Sequence, residues 1–167
     1  MILAQASKSF PKQWTRLTPQ LVTVASWVGY DLDGRRDIQW SDTIRLKLGE
    51  KAAKLQDYCD MAKAITKDTT SPPKGLVDFI VAAGKAVEIA RDEQNAFAQD
   101  LSDPDNLAAA AKLLTAPHAD RWIDIEPGLA YLNAAIRQTQ NRKIKQACLV
   151  LRAHMRRCGM GTARLHL

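Results

Sequence analysis

The chain has 167 residues, 46% hydrophobic and 25% charged, which suits one domain with a real core. No apolar run approaches the roughly 18 residues that a membrane span needs, and "MILAQASKSF" lacks the apolar length and cleavage site of a signal peptide, so a cytoplasmic protein is expected. Three widely spaced cysteines without a C-x-x-C argue against a disulfide framework or a zinc site, and the net charge of +6 is uneven: residues 1–126 carry 16 basic and 18 acidic side chains, and the remainder carries eight basic and none acidic.

Residues 3–9 allow one or two helical turns, stopped by Pro11. After Pro19, "QLVTVASWV" is rich in Val and Thr and predicts a strand that Gly29 ends. The loop 29–40 follows. Ser41 is the expected N-cap of a long helix, with Asp42 favourably placed in its first turn. The spacing of Ile44, Leu48, Ala52, Leu55, Tyr58, Ala62 and Ile65 gives that helix about six turns and one apolar face. Pro72 and Pro73 break it.

A second helix is expected from about Leu76 to Leu101, with Phe79, Ile80, Ala83, Val87, Ala90 and Phe97 inward. Gly84 within it either lowers helix propensity or permits a close helix contact. Asp103-Pro104 reads as an N-cap and a first-turn proline opening a third helix, which ends near Pro117. "HADRWIDIEPG" is a loop, and Pro127 starts a fourth helix through Tyr131, Leu132, Ala135 and Ile136. Asn141 caps a fifth with Ile144, Cys148, Leu151 and Met155 on one face, stopped by Gly159 and Gly161. "TARLHL" predicts a short final strand. The expected fold is therefore mainly α: a helical excursion flanked by two short strands, a fragment of a larger α/β barrel, with residues 1–167 a single partial segment. Two strands make a poor sheet, so this architecture wants neighbouring strands.

Candidate chemistry concentrates in "GYDLDGRRD", residues 29–37. Asp31, Asp33, Asp37 and Gly34 miss the calcium-loop order and its closing Glu. At the C-terminal end of a parallel strand, the same loop would stand where α/β folds place ligand groups. Trp27 would wall a pocket there, and Gly29 and Gly34 would permit tight turns. The plain alternative is a surface turn in which Asp31 and Asp33 bond their own backbone. Arg142, Lys145, Arg152 and Arg156 form a basic stripe that suits either phosphates or a solvated helix face, and no aromatic residue after Tyr131 supports base stacking. His118, His154 and His166 show no metal-ligand or triad spacing, and no phosphate-binding glycine motif occurs.

"SWVGYDLDG" resembles the S-W-x-G-G-D-R-D-G-N-P segment of phosphoenolpyruvate carboxylases. Ser26, Trp27, Gly29, Asp31, Asp33 and Gly34 match it; Tyr30, Leu32 and Arg35-Arg36 stand where that family has Gly, Arg and Asn-Pro. "RRCGMGTARLHL" is similar to the family's next barrel strand. The order of loop, helical excursion and strand spans nearly the whole chain. The resemblance implies part of a lyase that joins phosphoenolpyruvate to bicarbonate, giving oxaloacetate and phosphate, with Mg²⁺ or Mn²⁺ in the parent enzyme. It implies substrate-loop roles for Trp27, Gly29, Asp31, Asp33 and Gly34, and a divergent branch of the family would carry its shifted cationic groups at Arg35 and Arg36. No catalytic set is complete in this chain, and its metal ligands are expected in other segments of the same barrel. It further implies a homo-oligomer at full length and disfavours nucleic acid as a partner. The alternative is a non-enzymatic helical module that binds nucleic acid or a protein through the basic C-terminal helix.

Overall fold

The computed structural model describes residues 2–17, 39–67 and 69–161. Among them are six α-helices and one 3-10 turn: α1 (Ile2–Ser9), the turn Trp14–Arg16, α2 (Trp40–Lys67), α3 (Lys74–Ala96), α4 (Pro104–Thr115), α5 (Glu126–Gln138) and α6 (Arg142–Cys158). No strand occurs among the described residues. Both expected strands, within residues 20–28 and 162–167, lie outside them.

Four helices make the core. α2 packs on α3, α3 on α5, α5 on α6 and α6 back on α2. Neighbours run antiparallel: Gln56 meets Arg91 and Trp40 meets Phe97 across α2–α3, while Asp57 meets His154 across α2–α6. Each helix turns one apolar stripe inward. Leu55, Tyr58 and Ala62 of α2 are buried with Leu76, Phe79, Ala83 and Ala90 of α3, Leu132 and Ala135 of α5, and Cys148, Leu151 and Met155 of α6. Burial of each large side chain contributes about 1.5–3 kcal/mol. A smaller cluster of Leu48, Phe97 and Ala110 seats α4 against the distal ends of α2 and α3. The described helices thus cover one another's apolar faces, so the openness expected of the architecture does not extend to them.

The N-terminal segment closes one side. Leu3, Ala6 and Trp14 join the main core. Arg142 donates to Ser7 Oγ at 2.7 Å, and Arg152 donates to Thr15 O at 3.0 Å and Asn133 Oδ1 at 2.9 Å. Two arginines of the predicted basic stripe therefore fasten α1 and the 3-10 turn to α5 and α6.

Helix ends follow local chemistry with two corrections. Asp103 Oδ1 caps α4 through Asp105 N, and Asn141 Oδ1 caps α6 through Lys143 N and Ile144 N. Ser41, however, already lies inside α2, and the Asp42 carboxylate accepts from Gln39 N at 3.4 Å instead. α3 stops at Ala96, short of Leu101, because Asp100 organises a tight turn: its carboxylate takes both the amide and the hydroxyl of Ser102, which hold that carboxyl below the usual range.

The glycines separate by role. A Cβ on Gly84 would meet nothing within 4 Å, so Gly84 mediates no close contact. A Cβ on Gly75 would fall 2.6 Å from Ala135 N and 2.8 Å from Tyr131 O, so the close approach of α3 to α5 occurs there. Gly159 ends α6 at φ +59°, a conformation that favours glycine.

Candidate functional site

Trp27, Gly29, Asp31, Asp33, Gly34, Arg35 and Arg36 all lie outside the described residues. The frame on either side of them is described. Trp40 opens α2 and meets Phe97 edge-on, with ring centroids 6.4 Å apart. After α6, the chain returns to α2: Tyr58 Oη donates to Gly159 O at 2.5 Å, and a Cβ on Gly161 would fall 2.8 Å from Glu50 Oε2. Glu50 stands ten residues into α2 from Trp40, about 15 Å along the axis.

That return seam gathers the described reactive side chains. His154 of α6 stands over Tyr58 edge-on, with centroids 5.7 Å apart. Its Nε2 is 3.5 Å from Asp57 Oδ2. Its Nδ1 lies 3.2 Å from Arg157 Nη2 and 3.8 Å from Cys158 Sγ. A guanidinium can only donate, so the Arg157 contact makes Nδ1 an acceptor and leaves the neutral ring's proton on Nε2, toward Asp57. Nδ1 thus accepts from Arg157 while the Cys158 thiol stands beside the same nitrogen. Tyr58 keeps its phenol protonated well above the ordinary tyrosine range, first through burial and then through the neighbouring Cys158 and Asp57. It thus acts as a donor that fixes the seam. A groove of about 400 Å³ runs alongside, lined by Glu50, Ala53, Lys54, Asp57 and Gly161.

A second polar cluster is structural. The Glu93 carboxylate is fully buried in α3, with Lys51 Nζ 3.3 Å from Oε2 and Arg121 Nε 2.6 Å from Oε1. The Arg121 Nε–Oε1 contact lacks hydrogen-bond geometry, so it is ionic rather than directional. The other guanidinium nitrogens of Arg121 donate to Leu113 O and Ala116 O, holding the C-terminal end of α4. Beside it Trp122 is buried against Phe79.

Among the described residues, no group of three or more His, Cys, Asp or Glu side chains could hold a metal ion. They offer no seat for the Mg²⁺ or Mn²⁺ that the resemblance implies. No described helix is long and apolar enough to cross a membrane. Comparison with protein-family models, curated proteins and solved structures found no match.

Sequence reasoning found no metal-ligand or triad spacing at His154. The i, i+4 spacing of His154 and Cys158 was a visible signal, since it puts both on one helix face. Asp57, about 100 positions away, was not visible.

Proposed function

We propose that this chain is a segment of a phosphoenolpyruvate carboxylase-like lyase that forms oxaloacetate from phosphoenolpyruvate and bicarbonate. The matched residues of "SWVGYDLDG" motivate the reading, and one structural observation supports it. The helices leave at Trp40 and come back beside Glu50, on the same half of α2. An excursion between strands of one barrel needs both its ends on the same side of the helices; the separation of about 15 Å here corresponds to about three strand spacings. In this reading Trp27 walls the pocket. Asp31 and Asp33 orient arginines that hold anionic groups while charge shifts during phosphate transfer. Mg²⁺ or Mn²⁺ would supply Lewis-acid stabilisation from ligands outside the described residues. The parent assembles as a cytoplasmic homo-oligomer.

The test is oxaloacetate formation by the full-length gene product, coupled to malate dehydrogenase. Turnover dependent on bicarbonate and divalent metal is expected, with a loss of at least about tenfold in Asp33→Asn, the size of one lost positioning interaction. The 167-residue chain alone should be inactive. A full-length product that never consumes phosphoenolpyruvate would reject the reading.

One observation favours a second reading, a polyanion-binding helical module. Residues 2–17 and α6 lie together and contain no Asp or Glu, yet they present Lys8, Lys12, Arg16, Lys143 and Arg156 as exposed cations. Arg142 and Arg152 are committed to the N-terminal segment, so charge reversal at Lys143 and Arg156 is the clean probe. Salt-sensitive binding to a nucleic-acid duplex that this double reversal abolishes would favour the module.

A further inference from the structure

We propose that Cys158 is a reactive thiol, activated by His154 and Asp57, and that it takes up small disulfides as an S-thiolation site. This does not depend on the carboxylase reading. Three observations carry it. The Cys158 sulfur lies 3.8 Å from His154 Nδ1, the nitrogen that the Arg157 contact leaves unprotonated. Asp57 Oδ2, 3.5 Å from Nε2 and also 3.8 Å from Lys54 Nζ, makes an ionic contact from the neighbouring helix that stabilises the imidazolium. Cys158 is partly exposed, whereas Cys59 and Cys148 are buried, and Asp57 lines the groove along Glu50, Lys54 and Gly161.

The step balances within this set. The Cys158 proton passes to His154 Nδ1 as the Arg157 N–H leaves that nitrogen. The thiolate attacks one sulfur of the incoming disulfide, one S–S bond forms as the other breaks, and the leaving thiolate takes its proton from the imidazolium. The end of α6 opposes the thiolate, but a helix end carries only about half an elementary charge against the full charge of an imidazolium. The charged and titratable groups in contact with the pair are Asp57 and Tyr58 of α2 and Arg157 of α6, with Lys54 paired to Asp57. Arg157 favours a thiolate and an anionic disulfide and opposes the imidazolium; Asp57, partly engaged by Lys54, favours the imidazolium.

The experiment follows modification of the whole chain by glutathione disulfide and, as a neutral probe, iodoacetamide, with the site read by peptide mass. An ordinary thiol, with a pKa near about 8.5, is only about 1% thiolate at pH 6.5. General-base help from His154 predicts Cys158 modification at that pH about tenfold or more faster than in His154→Gln. Asp57→Asn should fall between, and Cys158→Ser should remove the label. Equal rates in the wild type and a folded His154→Gln would overturn the proposal. So would wild-type Cys158 labelling at pH 6.5 no faster than that of a free cysteine peptide, a result that requires no variant to fold. Reaction with iodoacetamide but none with glutathione disulfide would overturn the S-thiolation assignment.

Discussion

Gly75→Ala and Gly84→Ala make the same chemical change in one helix, and the packing gives them opposite signs. At Gly75 the new Cβ would lie 2.6 Å from Ala135 N and 2.8 Å from Tyr131 O, both backbone atoms of α5. Reaching an ordinary contact of 3.4 Å requires α3 and α5 to part by about 0.8 Å. Overpacking of this kind costs about 1–3 kcal/mol. The same movement stretches the 2.8 Å bond from Gly75 N to Gln138 Oε1, worth about 1 kcal/mol. Against this stands a helix-propensity gain below about 1 kcal/mol, diminished because Gly75 is the second residue of α3. The expected net is a loss of about 2 kcal/mol, or about 4–8 °C in Tm for a chain of this length. Gly84 faces open space in the middle of α3, so only the propensity term applies and Ala should gain about 0.5–1 kcal/mol. Paired thermal and urea melts decide the matter. If Gly75→Ala melts within 1 °C of the wild type, or above it, the close α3–α5 contact is wrong.

Other perturbations separate the remaining interactions. Glu93→Gln strands the largely buried Lys51 and Arg121 without their counter-ion and should cost about 3 kcal/mol in urea unfolding, as breaking one side of a buried pair does. Arg152→Ala removes the bonds to Thr15 O and Asn133 Oδ1, so amide exchange over residues 10–17 should accelerate while the centre of α3 keeps its protection. Burial pushes the Cys148 thiol up to about 11 from about 9. A raised folded pKa means that this contribution is intact below about pH 9 and is lost toward pH 11, roughly 3 kcal/mol in all. The urea midpoint should therefore fall across that window, and less steeply in Cys148→Ala.

The helical part of the fold could be read from spacing because each core helix needs one buried stripe and polar residues elsewhere. Leu48, Ala52, Leu55, Tyr58 and Ala62 are buried, as their spacing on α2 implies, and Ile144, Cys148, Leu151 and Met155 do the same on α6. Caps were readable where one side chain does the work, as at Asp103 and Asn141. Ser41 failed as a cap because a good capping residue can equally sit in the first turn, and the position of Trp40 decides which. The end of α3 failed because the apolar Phe97 and Leu101 continue the pattern after the backbone has turned. They pack against α4 in the small second core instead.

Tertiary register explains what spacing could not reach. The segment at 117–125 reads as a polar loop, yet it supplies Arg121 to a carboxylate buried in α3 and Trp122 to the main core. Both pairings depend on how far α3 and α5 slide past each other, a length set by Gly75 against Ala135 rather than by any local motif. The seam at His154 has the same cause. Half of it, His154 and Cys158, lies on one helix face and is visible at i, i+4. Asp57 joins only because α2 and α6 run antiparallel in a register that puts Tyr58 under Gly159. A one-turn slip of α6, about 5.4 Å, would carry His154 past Asp57 and remove its stabilising carboxylate. The Tyr58–Gly159 hydrogen bond pins that register. Tyr58→Phe should therefore slow Cys158 modification at pH 6.5 although Tyr58 takes no part in the proton transfer. An unchanged rate in a folded Tyr58→Phe would show that the register holds without it.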